Sequence, residues 1–209
     1  MSVNNETLLS IIENMQKNIG ENRSYLSDLD REIGDGDHGI NMDRGFQEVM
    51  KKMDEMKEQD ISGILRTTGM TLAFKVGGAS GPLYGTAFMK ASDTLKGKEE
   101  IVLTDLPGLL DAAIGGIQLR GKAVQGEKTI LDTLFPAKEA LENAIAEGKN
   151  SEQAIDAMLK AGEEGAEYTK TIKATKGRAS YIGERSIGHM DPGAASALIL
   201  LRSIAEIVN

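Results

Sequence analysis

The stretch Asp30-Arg31-Glu32-Ile33-Gly34-Asp35-Gly36-Asp37-His38-Gly39-Ile40-Asn41-Met42 decides how the rest of the chain is read. Asp30, Asp35 and Asp37 stand within eight residues, interrupted by Gly34, Gly36 and Gly39. A backbone so rich in glycine can fold tightly enough to aim the three carboxylates at one point. Converging carboxylates repel one another and resist losing water unless a cation joins them. A hard divalent cation with oxygen ligands is the natural partner, and Mg2+ is favoured where phosphate oxygens complete its shell. Asp and Gly together also make ordinary surface turns, and spacing alone does not separate the two readings. An EF-hand does not fit. Counted from Asp30, Asp35 falls where the sharp-turn glycine belongs and Asn41 where the bidentate glutamate belongs; counted from Asp35, the loop ends on Phe46.

The 209 residues suffice for one domain with a substantial core. A net charge of −8 argues against nucleic acid and anionic membrane as partners, because both need a basic face. The absence of cysteine excludes disulfides, thiolate catalysis and Cys-ligated metal. Met1-Ser2-Val3-Asn4-Asn5-Glu6 has neither a basic nor an apolar signal region, and no apolar run approaches the ~18 residues of a membrane span. These features together predict a cytoplasmic protein. Aromatics are only 4% of the chain, while Ala, Gly, Leu, Ile and Met abound, which suits packed helices better than a sheet.

Leu8, Leu9, Ile11, Ile12, Met15 and Ile19 recur at helical spacing, ended by Gly20 and Asn22. A second segment from Arg23 to Arg31 leads into the aspartates. Ile40–Glu58 reads as one helix with Phe46, Val49, Met50, Met53 and Met56 along one side, the methionines as core filling. Ile61–Phe74 follows, then Lys75-Val76-Gly77-Gly78-Ala79-Ser80-Gly81-Pro82 before a helix over Leu83–Leu95. This glycine cluster suits phosphate at a helix start, although the residues by themselves slightly favour a close helix crossing that needs glycine for clearance. Thr104-Asp105-Leu106-Pro107 opens a helix through Leu119. Gly121 to Thr129 superficially suggests a Walker A loop, but Glu127 separates Gly126 from Lys128 and no apolar strand precedes it. Helices are predicted over Thr129–Glu147 and, from the Asn150/Gln153 capping box, over Ser151–Thr171. Lys173–Met190 breaks the pattern: its Gly, Ser, Lys and Arg form either a basic flap over an anion or a solvated loop. Asp191-Pro192-Gly193 then caps a final apolar helix from Ala194 to Val208. The expectation is one all-α domain over residues 1–209, an antiparallel eight-helix barrel or bundle with its glycine-rich connections, and a nucleotide site, at one rim.

Leu29 to Met42 with Arg44-Gly45-Phe46 resembles the signature of the nucleotide-binding L subunit of dihydroxyacetone kinase. The resemblance continues through Gly77–Gly85, Gly126–Thr129, Gly177–Tyr181 and Gly188–Ala194, and so covers nearly the whole chain in order. It implies an eight-helix barrel that binds ADP or ATP at one rim through two Mg2+ ions held by Asp30, Asp35 and Asp37. His38, Gly39, Ile40 and Asn41 would border the phosphates, with Ala79 and Ser80 binding phosphate at a helix start. Gly121 and Ile130 would line the adenine, Arg178 would reach a phosphate, and Asp191, Pro192 and Gly193 would flank the nucleoside. The family phosphorylates dihydroxyacetone held covalently on a histidine of a separate K subunit. In the form that depends on the phosphotransferase system, a phosphohistidine-bearing M subunit recharges the bound ADP. Alternatives are a nucleotide-binding regulatory subunit that contacts a transcription regulator, a subunit of an ATP-exchanging kinase for another short ketose or polyol, and a helical metal-dependent hydrolase.

Overall fold

The 3.6-residue period is realised as nine long α-helices and one single-turn helix among the residues described by the computed structural model, 1–208. They are α1 (Asn5–Glu21), α2 (Arg23–Ile33), α3 (His38–Met50), the single turn α4 (Met53–Met56), α5 (Ile61–Lys75), α6 (Ser80–Asp93), α7 (Leu106–Gly121), α8 (Leu131–Ala146), α9 (Ser151–Tyr168) and α10 (Pro192–Val208). Two short strands, β1 (Ser2–Val3) and β2 (Ile101–Val102), pair antiparallel with Val3 opposite Ile101. The all-α expectation holds.

Eight of the helices close a ring. α1 packs on α3, α3 on α5, α5 on α6, α6 on α7, α7 on α8, α8 on α9, α9 on α10, and α10 back on α1. Their apolar stripes meet in one continuous core that includes Ile12, Ile19, Phe46, Ile64, Leu72, Ile117 and Leu141, each at most 1% exposed. α2 stands outside the ring, packed on α3 and α10.

Local signals fix the helix starts. Asn4 Oδ1 accepts from Thr7 N (2.9 Å), and Asp60 Oδ1 accepts from Gly63 N (2.6 Å). Asn150 and Gln153 close the predicted capping box, with bonds of 2.9 and 3.3 Å. Asp191 Oδ2 accepts from Ala194 N at 2.8 Å, so Pro192 opens α10 as expected.

Three segments differ from the sequence reading. Ile40–Glu58 is not one helix: α3 ends at Met50, Lys52 N turns back to Val49 O (2.8 Å), and α4 restarts at Met53. The turn lets both Met53 and Met56 enter the core. Met56 is wholly buried, and the Thr68 hydroxyl meets its sulfur at 3.7 Å, as core filling requires. Next, α6 begins at Ser80 rather than Leu83, so the serine hydroxyl belongs to the first helical turn. Finally, the irregular segment before α10 contains a 3-10 winding over Arg178–Ser186, kinked at Gly183.

The ring alternates its connections between two ends. At one end, β1 pairs with the segment entering α7, and Asn5 Nδ2 donates to Gln59 O (2.7 Å). The connections α2–α3, α5–α6, α7–α8 and α9–α10 meet at the other end, around one cavity. No helix among the described residues is long and apolar enough to cross a membrane.

Candidate functional site

Asp30 occupies the last turn of α2 and is 8% exposed. Its Oδ2 accepts from Asp37 N (2.9 Å) and His38 N (3.1 Å), so it caps the first turn of α3, whose N–H groups have no intrahelical acceptor. That capping bends the intervening loop back on itself. Carboxylate oxygens of Asp30, Asp35 and Asp37 consequently lie within 4.8 Å of one another. Arg178 Nη2 sits 2.9 Å from Asp35 Oδ2 and supplies a counter-charge. An all-oxygen donor set of like charge, partly exposed and gathered at a cavity edge, fits a hard divalent cation and suits no soft metal.

The cavity measures about 410 Å3, ordinary for a small-molecule site. The three aspartates, Gly77–Ser80 and Arg178 form its polar part, while Leu83, Ile117, Ala123 and Ile130 form an apolar part. His38, Asn41, Gly121, Asp191, Pro192 and Gly193 also line it, so nearly every site residue expected from the sequence meets here. Gly39 and Ile40 do not. Gly39 is buried and packed against the carbonyl of Arg23, and the Ile40 side chain is 44% exposed. Both lie in the first turn of α3, where only their backbone can serve an anion.

The second glycine cluster allows a close helix approach and also opens onto the cavity. Gly78 turns with φ +66° and has open space beside it, facing the cavity. Gly81 lies against the end of α5, where an added Cβ would run into the carbonyl of Val76.

His38 is buried, with Nδ1 3.1 Å from Ser80 Oγ and Nε2 2.9 Å from Ser196 Oγ. Burial lowers its pKa to about 4 against the opposing pull of Asp37, so the ring is neutral near pH 7. Behind it, Tyr84 Oη meets Ser196 Oγ at 2.6 Å, and burial pushes the phenol well above its ordinary range. Sequence reading singled out neither Tyr84 nor Ser196, since both lie inside apolar helical runs.

Lys128 also escaped assignment. The turn that imitates a Walker loop is an anchor. Lys128, held at φ +62° and 1% exposed, donates from Nζ to the carbonyls of Thr169 and His189, the two feet of the segment before α10. Asp132 holds the turn by accepting from Gly126 N (2.5 Å) and Thr129 N (2.7 Å), while Glu127 Oε1 accepts from Thr175 Oγ1 (3.0 Å). The tethered segment brings Lys176, Gly177, Arg178 and Ala179 to the cavity as one wall. Ala179 and Ile182 pack on Ile33 of α2. The segment is therefore tethered and packed rather than a solvated loop.

Asp191 sits beside this anchor. Burial raises its carboxyl from the ordinary 3.8 to about 7; the Ala194 amide and Lys128 oppose the rise, while Asp132 and Asp30 add to it. The folded protein therefore keeps a proton that the unfolded chain releases, and stability falls as pH rises from 3.8 to about 7. In metal-free protein, Asp191→Asn is expected to flatten that slope while keeping the cap on α10. Urea unfolding across this pH range checks it, and a slope equal to that of the unsubstituted protein would refute it.

The DAK2 domain model matches residues 32–206. The chain is 44% identical over 181 residues to the "PEP-dependent dihydroxyacetone kinase, ADP-binding subunit DhaL" of Escherichia coli K12, covering 87% of this chain and 86% of that protein. It is 42% identical over 206 residues to the corresponding subunit of kinase 1 of Listeria innocua, covering 99% and 98%. Bovine triokinase/FMN cyclase is 36% identical over 189 residues, which span 88% of this chain but only 32% of that one. Among solved structures, the dihydroxyacetone kinase of C. freundii in complex with AMP-PNP and Mg2+ shares the fold, with a TM-score of 0.71 at 24% identity over 95% of this chain and 33% of that one. A matching domain model and relatives aligned along nearly their full length establish that this chain belongs to the DAK2-domain family, whose relatives here include kinase subunits.

Proposed function

We propose that the chain is the ADP/ATP-binding subunit of a multi-subunit dihydroxyacetone kinase, a phosphotransferase. One observation carries the reading: three carboxylates converge at the polar edge of a nucleotide-sized cavity whose opposite part is apolar. A cation between the three carboxylates and a polyphosphate would remove the repulsion between them.

Asp30, Asp35 and Asp37 would hold Mg2+, two ions by family resemblance. When bound, the metal supplies neutralisation of charge on the phosphate oxygens. The first turn of α6 directs backbone N–H groups and the Ser80 hydroxyl at phosphate. Arg178 exchanges its partner Asp35 for a phosphate oxygen on the flap wall. Leu83, Ile117 and Ile130, beside Gly121, take the base, and Asp191, Pro192 and Gly193 border the nucleoside. We assign no general base to this chain; the acceptor would be presented by another subunit. In this reading a K subunit holds dihydroxyacetone and a phosphohistidine M subunit recharges ADP in place.

The test joins two measurements. Native mass spectrometry of the purified chain is expected to show retained ADP with magnesium. Mixing it with K and M subunits and phosphoenolpyruvate-driven phosphotransfer proteins is expected to yield triose phosphate. Bound nucleotide without product would mark a regulatory subunit, and steady phosphate release by the chain alone would mark a hydrolase.

A further inference from the structure

Four polar side chains are linked by hydrogen bonds along the cavity wall, one of them, Ser196, behind it. Tyr84 Oη lies 2.6 Å from Ser196 Oγ, which lies 2.9 Å from His38 Nε2; His38 Nδ1 lies 3.1 Å from Ser80 Oγ. Ser80, His38 and Tyr84 line the cavity, whereas Ser196 sits behind its wall and is fully buried. Each of these groups offers a proton, and the protons can be ordered in two ways.

In the inward order, the Ser80 hydroxyl donates to His38 Nδ1 and His38 Nε2–H donates to Ser196. The Ser196 hydroxyl then donates to Gly193 O at 3.1 Å. Ser80 then shows the cavity only lone pairs, which repel an anion. In the outward order, Tyr84 donates to Ser196 (its other acceptor in reach is Gly193 O at 3.3 Å), Ser196 to Nε2 and Nδ1–H to Ser80, leaving the Ser80 hydroxyl proton pointed at the cavity. A neutral imidazole has one N–H, so the two orders correspond to its two tautomers. Only the outward order gives a phosphate oxygen a charge-assisted hydrogen bond from Ser80.

We infer that Tyr84 and Ser196 are positioning residues that, through His38, aim the Ser80 hydroxyl proton into the cavity, and that a bound phosphate group holds His38 in the tautomer protonated on Nδ1. This rests on the nucleotide reading above. It deepens that reading by assigning work to two residues that never meet the ligand's metal: Ser196, which does not reach the cavity at all, and Tyr84, which acts through it. In the outward order the relay favours an anion beside Ser80 and disfavours a cation there.

His38 and His189 are the only histidines, so 15N-histidine spectra can be assigned by elimination. In the whole protein saturated with ADP and Mg2+, His38 is expected to show a pyrrole-type Nδ1 and a pyridine-type Nε2. Ser196→Ala removes the donor to Nε2 and should move the proton to that nitrogen. It should also weaken ADP–magnesium binding about tenfold, the scale of one hydrogen bond to a charged group. Tyr84→Phe should shift the tautomer in the same direction from a different helix. Nucleotide-saturated protein carrying the proton on Nε2, or on both nitrogens, overturns the inference. So do variants that keep both the Nδ1–H tautomer and the original affinity. A chain that binds no adenine nucleotide at all overturns the nucleotide reading and this inference together, whereas binding with Nε2–H overturns this inference alone.

Discussion

Replacing Asp35 and Asp37 together with asparagine is expected to abolish magnesium-dependent ADP binding, a loss of at least about a hundredfold in calorimetry. Asparagine keeps an oxygen in place but removes the charge that a hard cation requires. The ligand-free variant should melt no lower than the original protein, since the substitution relieves repulsion among carboxylates within 4.8 Å of one another. Asp30 is the wrong choice for this experiment, because its Oδ2 also caps the start of α3 and its loss would confound folding with binding. Unchanged affinity in the double variant would sink the metal site and every functional statement built on it.

Lys128→Met is expected to destabilise the protein by about 3–5 kcal/mol, the scale of losing two hydrogen bonds from a charged donor and leaving their buried acceptors unpaired. Burial lowers the pKa of this lysine while Asp191 and Asp132 oppose the shift, so the ammonium is poised between desolvation and two carboxylates. Methionine matches its length but leaves the carbonyls of Thr169 and His189 without their donor. The loss should be local first: amides between Lys170 and Gly188 should exchange faster before the ring opens. Denaturant unfolding with hydrogen exchange measures both effects. A variant with full stability and an unchanged exchange pattern would show that Lys128 does not hold the flap.

Periodicity, capping residues and glycine placement foretold the helices because those signals are local. Ile12 and Ile19 face the core for the same reason that they recur at helical spacing. Asn150 with Gln153 caps α9 through bonds made within its first turn. The break after Met50 was less legible, because it depends on Met53 and Met56 finding space beside residues of α5. At the site, the aspartates are close in sequence and therefore visible. The contacts that complete it span the chain: Lys128 reaches His189, and His38 reaches Ser196. A lysine in a turn and a serine in an apolar helix carry no local mark of such partners. Ile40 shows the converse. It sits within a conspicuous motif, yet the helix turns its side chain to solvent.

The two feet of the flap are fastened by one ammonium group, and Gly188 N bonds to Lys170 O (2.7 Å), closing the segment into a loop that cannot swing from a single hinge. On the nucleotide reading proposed above, a ligand held against it would escape only as the fastening loosens, so residence time would follow local opening as well as contact energy. If ADP is recharged in place as proposed, the clasp would let this chain combine modest affinity with a long-lived occupant.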